Sequence, residues 1–151
     1  MAYQSRLGAV LFQRKNNEDL AVQEFARQKN LLMIEWERLQ SLKEKLQLTL
    51  EELAVKQSQG GSAEEFTLYF RFIGEMQEKV ETARKFVSQQ EVVCESRRVL
   101  LETAVKERKA VEAIEEKRKE AYFEERMKKE QEALDEIGGQ LKLRTAGFSL
   151  Q

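Results

Sequence analysis

Apolar residues recur every seven positions along two long stretches of the chain. Such spacing puts them on one stripe of an α-helix, which buries that stripe against a partner helix. In the first stretch the main line consists of Leu11, Glu18, Phe25, Leu32, Leu39, Leu46 and Leu53. In the second stretch it consists of Phe66, Ile73, Val80, Val87, Cys94 and Leu101, with a companion line of Tyr69, Met76, Ala83, Gln90, Arg97, Ala104 and Val111. Both stretches are therefore predicted to be long helices that share one seam.

The companion line of the first stretch is less regular. We assign Val22, Trp36 and Leu50 to it, and expect Trp36 to anchor the seam. Lysines occupy the alternate positions of this line, while Ala21 and Leu42 lie one residue away. Since a 3.6-residue helix drifts against a strict heptad, the seam is expected to wander around the first helix.

A single break, Gly60-Gly61-Ser62, separates the two stretches, and the chain contains no proline. Glycine adopts positive φ at low cost, so the pair predicts a turn at 60–62. Ser62 and Glu65 have the spacing of a capping box, in which each side chain accepts a hydrogen bond from the other's backbone amide. We therefore predict helices over about 4–58 and about 63–138.

The predicted fold is all-α: an antiparallel two-helix coiled-coil hairpin, with a longer second helix, that forms one unit over residues 1–139. Folding at the turn places residue i opposite roughly residue 121 − i, so the paired region should end near residue 116. From Glu115 to Glu136 apolar residues are sparse and opposite charges recur at i,i+4, as in a solvated helix. Gly138-Gly139 is typical of a helix stop, which leaves 140–151 as a flexible tail.

Composition fits this fold and narrows the function classes. Charged residues make up 35 % of the chain and the formal net charge is −1. This balance suits a coiled coil and argues against a nucleic-acid binder that depends on excess positive charge. Cys94 is the only cysteine, which fits a reducing compartment. With no signal peptide and no apolar run of about 18 residues, the expected location is cytoplasmic.

Catalytic chemistry finds no support in the sequence. The chain has no histidine, which excludes a Ser-His or Cys-His pair and a HExxH zinc site. It also lacks the glycine-rich loop that cradles nucleotide phosphates. Cys94 falls on the apolar stripe, where a thiol behaves as a small hydrophobe. We expect no enzyme activity, cofactor, metal site or small-molecule substrate.

Three segments resemble the flagellar FliJ family, and together they span nearly the whole chain. The opening MAYQSRLGAVL, residues 1–11, is similar to the start of members from Gram-positive bacteria. The segment FTLYFRFIGEM, residues 66–76, resembles the family's Tyr-x-x-Phe-Ile stretch, which also follows a glycine-containing turn. Residues 117–136 resemble the charged C-terminal signature of the family.

The resemblance implies a stalk of the flagellar type III protein export apparatus, at the inner face of the cell membrane. Such a stalk inserts in a hexameric export ATPase, promotes its assembly and links it to the transmembrane export gate; it also escorts export chaperones. The implied gate contacts are Tyr69, Phe72 and Met76. The charged extension offers the implied ATPase contacts, which are Arg118, Glu125, Arg126, Gln131, Asp135 and Glu136. Phe70 and Phe72 lie off the seam lines, so they are expected to be exposed.

Other functions remain open at this point. The same shape would serve the stalk of a virulence-type secretion system. A generic tethering or chaperone coiled coil would dimerise through its seam, whereas the hairpin predicts a monomer when free. A nucleic-acid-binding helical arm is disfavoured by the interspersed glutamates.

Overall fold

The computed structural model describes residues 2–149, and within them it contains two α-helices and no strand. Helix α1 spans Gly8–Gln59 and helix α2 spans Ala63–Ser149, so α2 is the longer. The two helices pack against each other, which confirms the predicted fold class. Their contacts form two compact units. The turn unit is Asn17–Ala104, and the terminal unit comprises the residues up to Asn16 and those from Val105 onward.

The turn between the helices depends on two glycines with different roles. Gly60 has φ of 86°, and its N–H donates to the Lys56 carbonyl at 2.9 Å, which ends α1 in a left-handed cap. At Gly61 a Cβ would lie 2.8 Å from Oε2 of Glu65 and 3.1 Å from Cε of Lys56, so a larger residue there would displace the ends of these two side chains. The Ser62 hydroxyl accepts a hydrogen bond from the Glu65 N–H at 3.2 Å, which is the predicted cap of α2.

The core of the turn unit is a narrow seam of the predicted residues. Its central cluster contains Leu39, Val80, Ala83 and Val87, and Leu32, Leu42 and Leu46 pack against it. Both predicted lines of α2 face inward, and Cys94 is buried on the seam as expected. The main line of α1 also faces inward in this unit, with Leu39 and Leu53 buried.

The companion line of α1 differs from the prediction by one residue. The inward positions are Ala21, Gln28, Glu35, Leu42 and Thr49. Consequently the assignment of Trp36 as a seam anchor is wrong, since Trp36 is 48 % exposed, and Val22 and Leu50 are exposed as well. Apolar residues flank the main line on both sides, so hydrophobicity alone did not decide which side faces α2. The observed side places Ala21, Leu42 and three polar residues against α2.

A polar network bridges the seam of the turn unit. The Gln90 amide donates to the side-chain oxygen of Gln28 at 2.7 Å and to its backbone carbonyl at 3.1 Å. The Gln28 amide in turn donates to Glu24 at 2.9 Å. Hydrogen bonds from Arg27 and Gln28 hold the pKa of Glu24 below its usual range. Gln28 is therefore buried with its amide satisfied, as a polar group in a seam must be.

Cross-helix ion pairs report the register in each unit. In the turn unit Lys56 lies 3.0 Å from Glu65, and Arg97 lies 3.7 Å from Glu24. In the terminal unit Arg14 lies 3.1 Å from Glu107. The residue numbers of each pair add up to 121, the value expected from folding at the glycines.

Three predicted boundaries differ from the observed ones. Helix α1 begins at Gly8 rather than near residue 4. The preceding residues accompany α2, and the rings of Tyr3 and Tyr122 lie 5.4 Å apart, so contact extends beyond residue 116. Helix α2 continues through Gly138-Gly139 to Ser149, which corrects the predicted stop and the tail from Gln140; Leu150 and Gln151 lie outside the described residues. Glycine within a helix costs only about 1 kcal/mol, and this pair does not adopt positive φ.

Replacing Leu39 by Asp is expected to unfold the turn unit. The change removes a burial worth about 1.5–3 kcal/mol and places a carboxylate in the seam without a partner. Helicity at 222 nm during thermal and urea unfolding measures the effect. Leu20→Asp is the matched control, because Leu20 lies on the same helix and is 64 % exposed. Equal loss of stability in both variants would contradict the seam.

Replacing Glu65 by Gln is expected to make the stability of the turn less sensitive to acid. Lys56 holds the pKa of Glu65 below its usual value, through a hydrogen bond and its charge. A depressed pKa stabilises the fold above the unfolded pKa, and that contribution is lost as pH falls through the folded pKa. Melting temperatures between about pH 7 and pH 3 should therefore fall less steeply in Glu65→Gln than in the parent. Glu64→Gln, one residue away, is the control and should keep the parent slope.

Candidate functional site

Apolar side chains are exposed close to the turn and form the first candidate surface. We call this the tip surface, and it consists of Leu48, Val55, Leu68, Tyr69 and Phe72. Tyr69 is half-buried and lines two adjoining open grooves. One groove contains Leu68 and Phe72, and the other contains Leu48 and Val55. Exposed apolar grooves of this kind accept apolar side chains of a partner.

Polar groups frame these grooves. Glu52 and Lys56 line both of them, and Glu65 lines the groove that contains Phe72. The ion pair between Lys56 and Glu65 fixes the orientation of both side chains at the rim. The arrangement matches a protein-binding surface with an apolar centre and a charged edge.

The three predicted gate contacts lie at different depths. Phe72 is 46 % exposed and Tyr69 is half-buried, so both are accessible. Met76 is 3 % exposed and belongs to the seam, so its side chain is not available as a surface contact. Met76 lies four residues beyond Phe72 on α2 and seven beyond Tyr69.

Sequence reasoning missed the contribution of α1 to the tip surface. Leu48 and Val55 are seven residues apart and more than half exposed. This spacing was a signal for a second apolar line near the turn, separate from the seam. Phe70, expected to be exposed, is 57 % exposed.

The C-terminal part of α2, which we call the extension (residues 123–147), is the second candidate surface. Every residue of the extension is exposed except Gly138, which is half-buried. Two ion pairs of opposite charge lie along the helix: Arg126 is 3.6 Å from Glu130, and Lys129 is 3.5 Å from Glu125. The extension therefore presents a solvated helix with both signs of charge.

The predicted ATPase contacts do not share a single face. At about 100° per residue, Arg118, Glu125 and Glu136 lie within about 20° of one another around α2. Arg126 lies to one side of them, and the pair Gln131 and Asp135 lies on the other. The Gln131 amide donates to Asp135 at 3.1 Å. Three of the six residues can thus meet one partner surface, and the others surround it.

Arg118 precedes the extension by five residues and lies in a groove formed by the N-terminal segment. Residues 2–6 line the groove together with Arg118 and Tyr122. Partial burial raises the pKa of Tyr3, and a hydrogen bond with Glu115 raises it further, while the charge of Arg118 lowers it. The groove is polar and lies beside α2, so it can accept a polar or charged side chain.

Neither surface has the features of a catalytic or metal site. In residues 2–149 no group of three or more metal-binding side chains comes together. The thiol of Cys94 lies on the seam, where the Gln90 amide is 4.0 Å away. Neither helix, over its described residues, has a span long and apolar enough to cross a lipid bilayer.

Comparisons with known proteins agree with this architecture. The chain is similar in structure to the YscO homologue CT670 of Chlamydia trachomatis, with a TM-score of 0.63 and 20 % identity. The alignment covers 93 % of this chain and 95 % of that one, and it supports the fold. The comparison with curated proteins gives no match. The model of the family described as flagellar FliJ protein matches residues 3–147, and the chain therefore belongs to the FliJ family.

Proposed function

We propose that this protein is a non-enzymatic stalk of a type III protein export apparatus. It joins a hexameric export ATPase at one end to the transmembrane export gate at the other. The terminal unit engages the ATPase and promotes ring assembly, and the turn unit engages the gate. This assignment places the protein in the cytoplasm, at the inner face of the membrane.

The observation that carries the proposal is family membership over residues 3–147, combined with a hairpin whose second helix is longer than the first. A stalk needs a pair of packed helices and a longer helix that a ring can surround. Both requirements are met by helices of 52 and 87 residues joined by a short turn. Export chaperones are a further partner in this scheme.

The tip surface is the proposed gate contact. Tyr69 and Phe72 supply aromatic surface, and Leu48, Val55 and Leu68 surround them. Aromatic residues in accessible grooves dominate the binding energy of many protein interfaces. The half-exposed ring of Phe72 therefore supplies the central contact, and buried Met76 maintains the helix packing beneath it.

The extension is the proposed ATPase contact. Its charges are exposed and include two ion pairs along the helix, so contacts of a ring subunit with those residues exchange one weak ion pair for another. Exposed pairs contribute only about 0.2–1 kcal/mol each, which suits adaptable contacts with several non-equivalent subunits. Glu125 and Glu136 of the extension share one face with Arg118, which precedes it, and these three residues are the leading candidates.

The family name favours the flagellar apparatus over a virulence-type system. The fold does not separate the two, because a YscO homologue shares it. Motility and secretion assays of a deletion strain distinguish them. A flagellar stalk predicts loss of swimming and of exported hook and filament subunits, with intact secretion of other substrates.

Phe72→Ala is expected to weaken binding to the purified cytoplasmic domain of the export gate protein. Loss of about 1–2 kcal/mol of apolar burial corresponds to an increase in Kd of about 5- to 30-fold. Phe86→Ala is the matched control, because Phe86 lies two heptads further along α2 and is 47 % exposed, against 46 % for Phe72. Isothermal titration gives both Kd values. An unchanged Kd for Phe72→Ala, or an equal loss for Phe86→Ala, would remove the tip surface as the gate contact.

A double variant with Glu125→Lys and Glu136→Lys is expected to bind the export ATPase about fivefold or more weakly. The two substitutions reverse two charges on the face of α2 that also carries Arg118. Pull-down and stimulation of ATP hydrolysis at low salt measure the loss. Glu78→Lys with Glu91→Lys makes the same change in net charge on exposed residues of the turn unit. ATPase binding that responds equally to both pairs would show a general charge effect instead.

A further inference from the structure

Helix α1 carries a second stripe of heptad-spaced residues that the seam does not use. Its members alternate in steps of four and three, which is the pattern of a coiled-coil contact line. We call it the second stripe, and it consists of Val22, Ala26, Lys29, Met33, Trp36, Gln40, Lys43, Gln47, Leu50 and Ala54. All ten residues lie in the turn unit.

The second stripe is accessible along its length. Val22, Met33, Trp36 and Leu50 are between 39 and 60 % exposed, although each has a large apolar side chain. The residues between them are small or neutral, apart from two lysines. Lys43 is half-buried, and the Lys29 ammonium lies 5.4 Å from the centre of the Phe25 ring. The stems of both lysines therefore lie along apolar surface while their charges remain at the stripe.

The charge of the second stripe is of one sign. Its ten positions include two lysines and no carboxylate. Lys29 and Lys43 are fourteen residues apart, or about 21 Å along the helix. Glutamates at positions 37, 44 and 51 follow its outer edge, and two of them accept hydrogen bonds from Gln40 and Gln47. The stripe thus combines an apolar centre, two internal cations and an acidic rim.

We propose that the second stripe binds an amphipathic helix of another protein, with acidic residues at the two seam positions that meet Lys29 and Lys43. Apolar residues of that helix cover Val22, Met33, Trp36 and Leu50. Basic residues on one edge of the partner meet the glutamate rim. The contact adds a third helix to the coiled coil of the turn unit. It does not depend on the stalk function or on the tip surface.

Charge complementarity favours this partner over a second copy of the chain. The second stripe of another copy also lacks carboxylates. Lys29 and Lys43 would therefore face lysine or neutral side chains in such a dimer. An acidic helix supplies the missing charge at both levels. The fourteen-residue spacing of the lysines then fixes the register of the bound helix, because a shift of one heptad leaves both lysines without their carboxylates.

The test uses the full-length protein and two designed 28-residue peptides. The acidic peptide has Leu at the positions that face the large apolar residues, Glu opposite both lysines and Lys along the rim. The swapped peptide has Lys in place of those two Glu. Trp36 is the only tryptophan of the chain, so its emission reports docking directly. We expect a blue shift with the acidic peptide, and a Kd at least about tenfold lower than for the swapped peptide.

Charge reversal provides the decisive comparison. A double variant with Lys29→Glu and Lys43→Glu should bind the swapped peptide more tightly than the acidic peptide, the reverse of the parent. The pair Lys79→Glu and Lys85→Glu, on exposed positions of α2, should keep the parent preference. Met33→Ser should lower the affinity for the acidic peptide, but the protein should still bind the acidic peptide more tightly than the swapped one.

Three results would overturn the proposal. The first is unchanged Trp36 emission at saturating acidic peptide, and the second is equal affinity for both peptides. The third is a stable dimer in light scattering whose formation alone shifts the Trp36 emission, because a second copy would then occupy the stripe. Circular dichroism at 222 nm verifies that each variant remains helical.

Discussion

The close approach of two helices along one narrow seam is the constraint on which the other features depend. A two-helix coiled coil has no thick core, so each buried side chain touches only the facing helix and its own neighbours. Its stability comes from many small contributions, such as those of Leu39, Val80 and Val87. The same narrowness leaves most of each helix exposed. Large surfaces near the turn and along α1 are therefore available for partners without disturbing the fold.

Polar groups within the seam restrict how the helices slide. A hydrophobic stripe with a seven-residue repeat packs against the facing helix nearly as well when it is shifted by one heptad. The hydrogen bonds from the Gln90 amide to Gln28 exist in one alignment only, and a shift would deprive that amide of both acceptors. The exposed ion pairs contribute less energy, but they reinforce the same alignment.

The sequence was sufficient to predict the features that depend on local chemistry and on the spacing of residues along the chain. Both inward lines of α2, the cap at Ser62 and the pairing of Lys56 with Glu65 follow from periodicity and from the position of the glycines. It was insufficient where two arrangements had similar local energies. Trp36 and Leu42 lie on opposite sides of the same main line, and only the packed pair of helices decided between them. Helix continuation at Gly138-Gly139 is a similar case, since glycine permits a stop without requiring one.

The candidate surfaces show the same division. Exposure of Phe70 and Phe72 followed from their positions off the seam. The depth of Met76 also followed from the companion line of α2, although family resemblance had assigned it to a surface. The involvement of Leu48 and Val55 required the structure, because the tip surface combines side chains from both helices around Tyr69. A surface made from two helices is visible to sequence reasoning only after the register is known.

The crowded turn has a consequence for how the length of such a protein changes. A Cβ at Gly61 would displace the ends of the Lys56 and Glu65 side chains, and the short link between Gln59 and Ala63 holds the ends of both helices close together. Inserting one residue on either side moves every later residue by about 100° and takes the seam side chains out of contact. Insertions of whole heptads keep the stripe, but an insertion between Gln28 and the turn preserves the glutamine bridge only if an equal insertion lies between the turn and Gln90. Evolution can therefore lengthen this hairpin only in matched heptad pairs, whereas the part of α2 beyond its partner can change length one residue at a time.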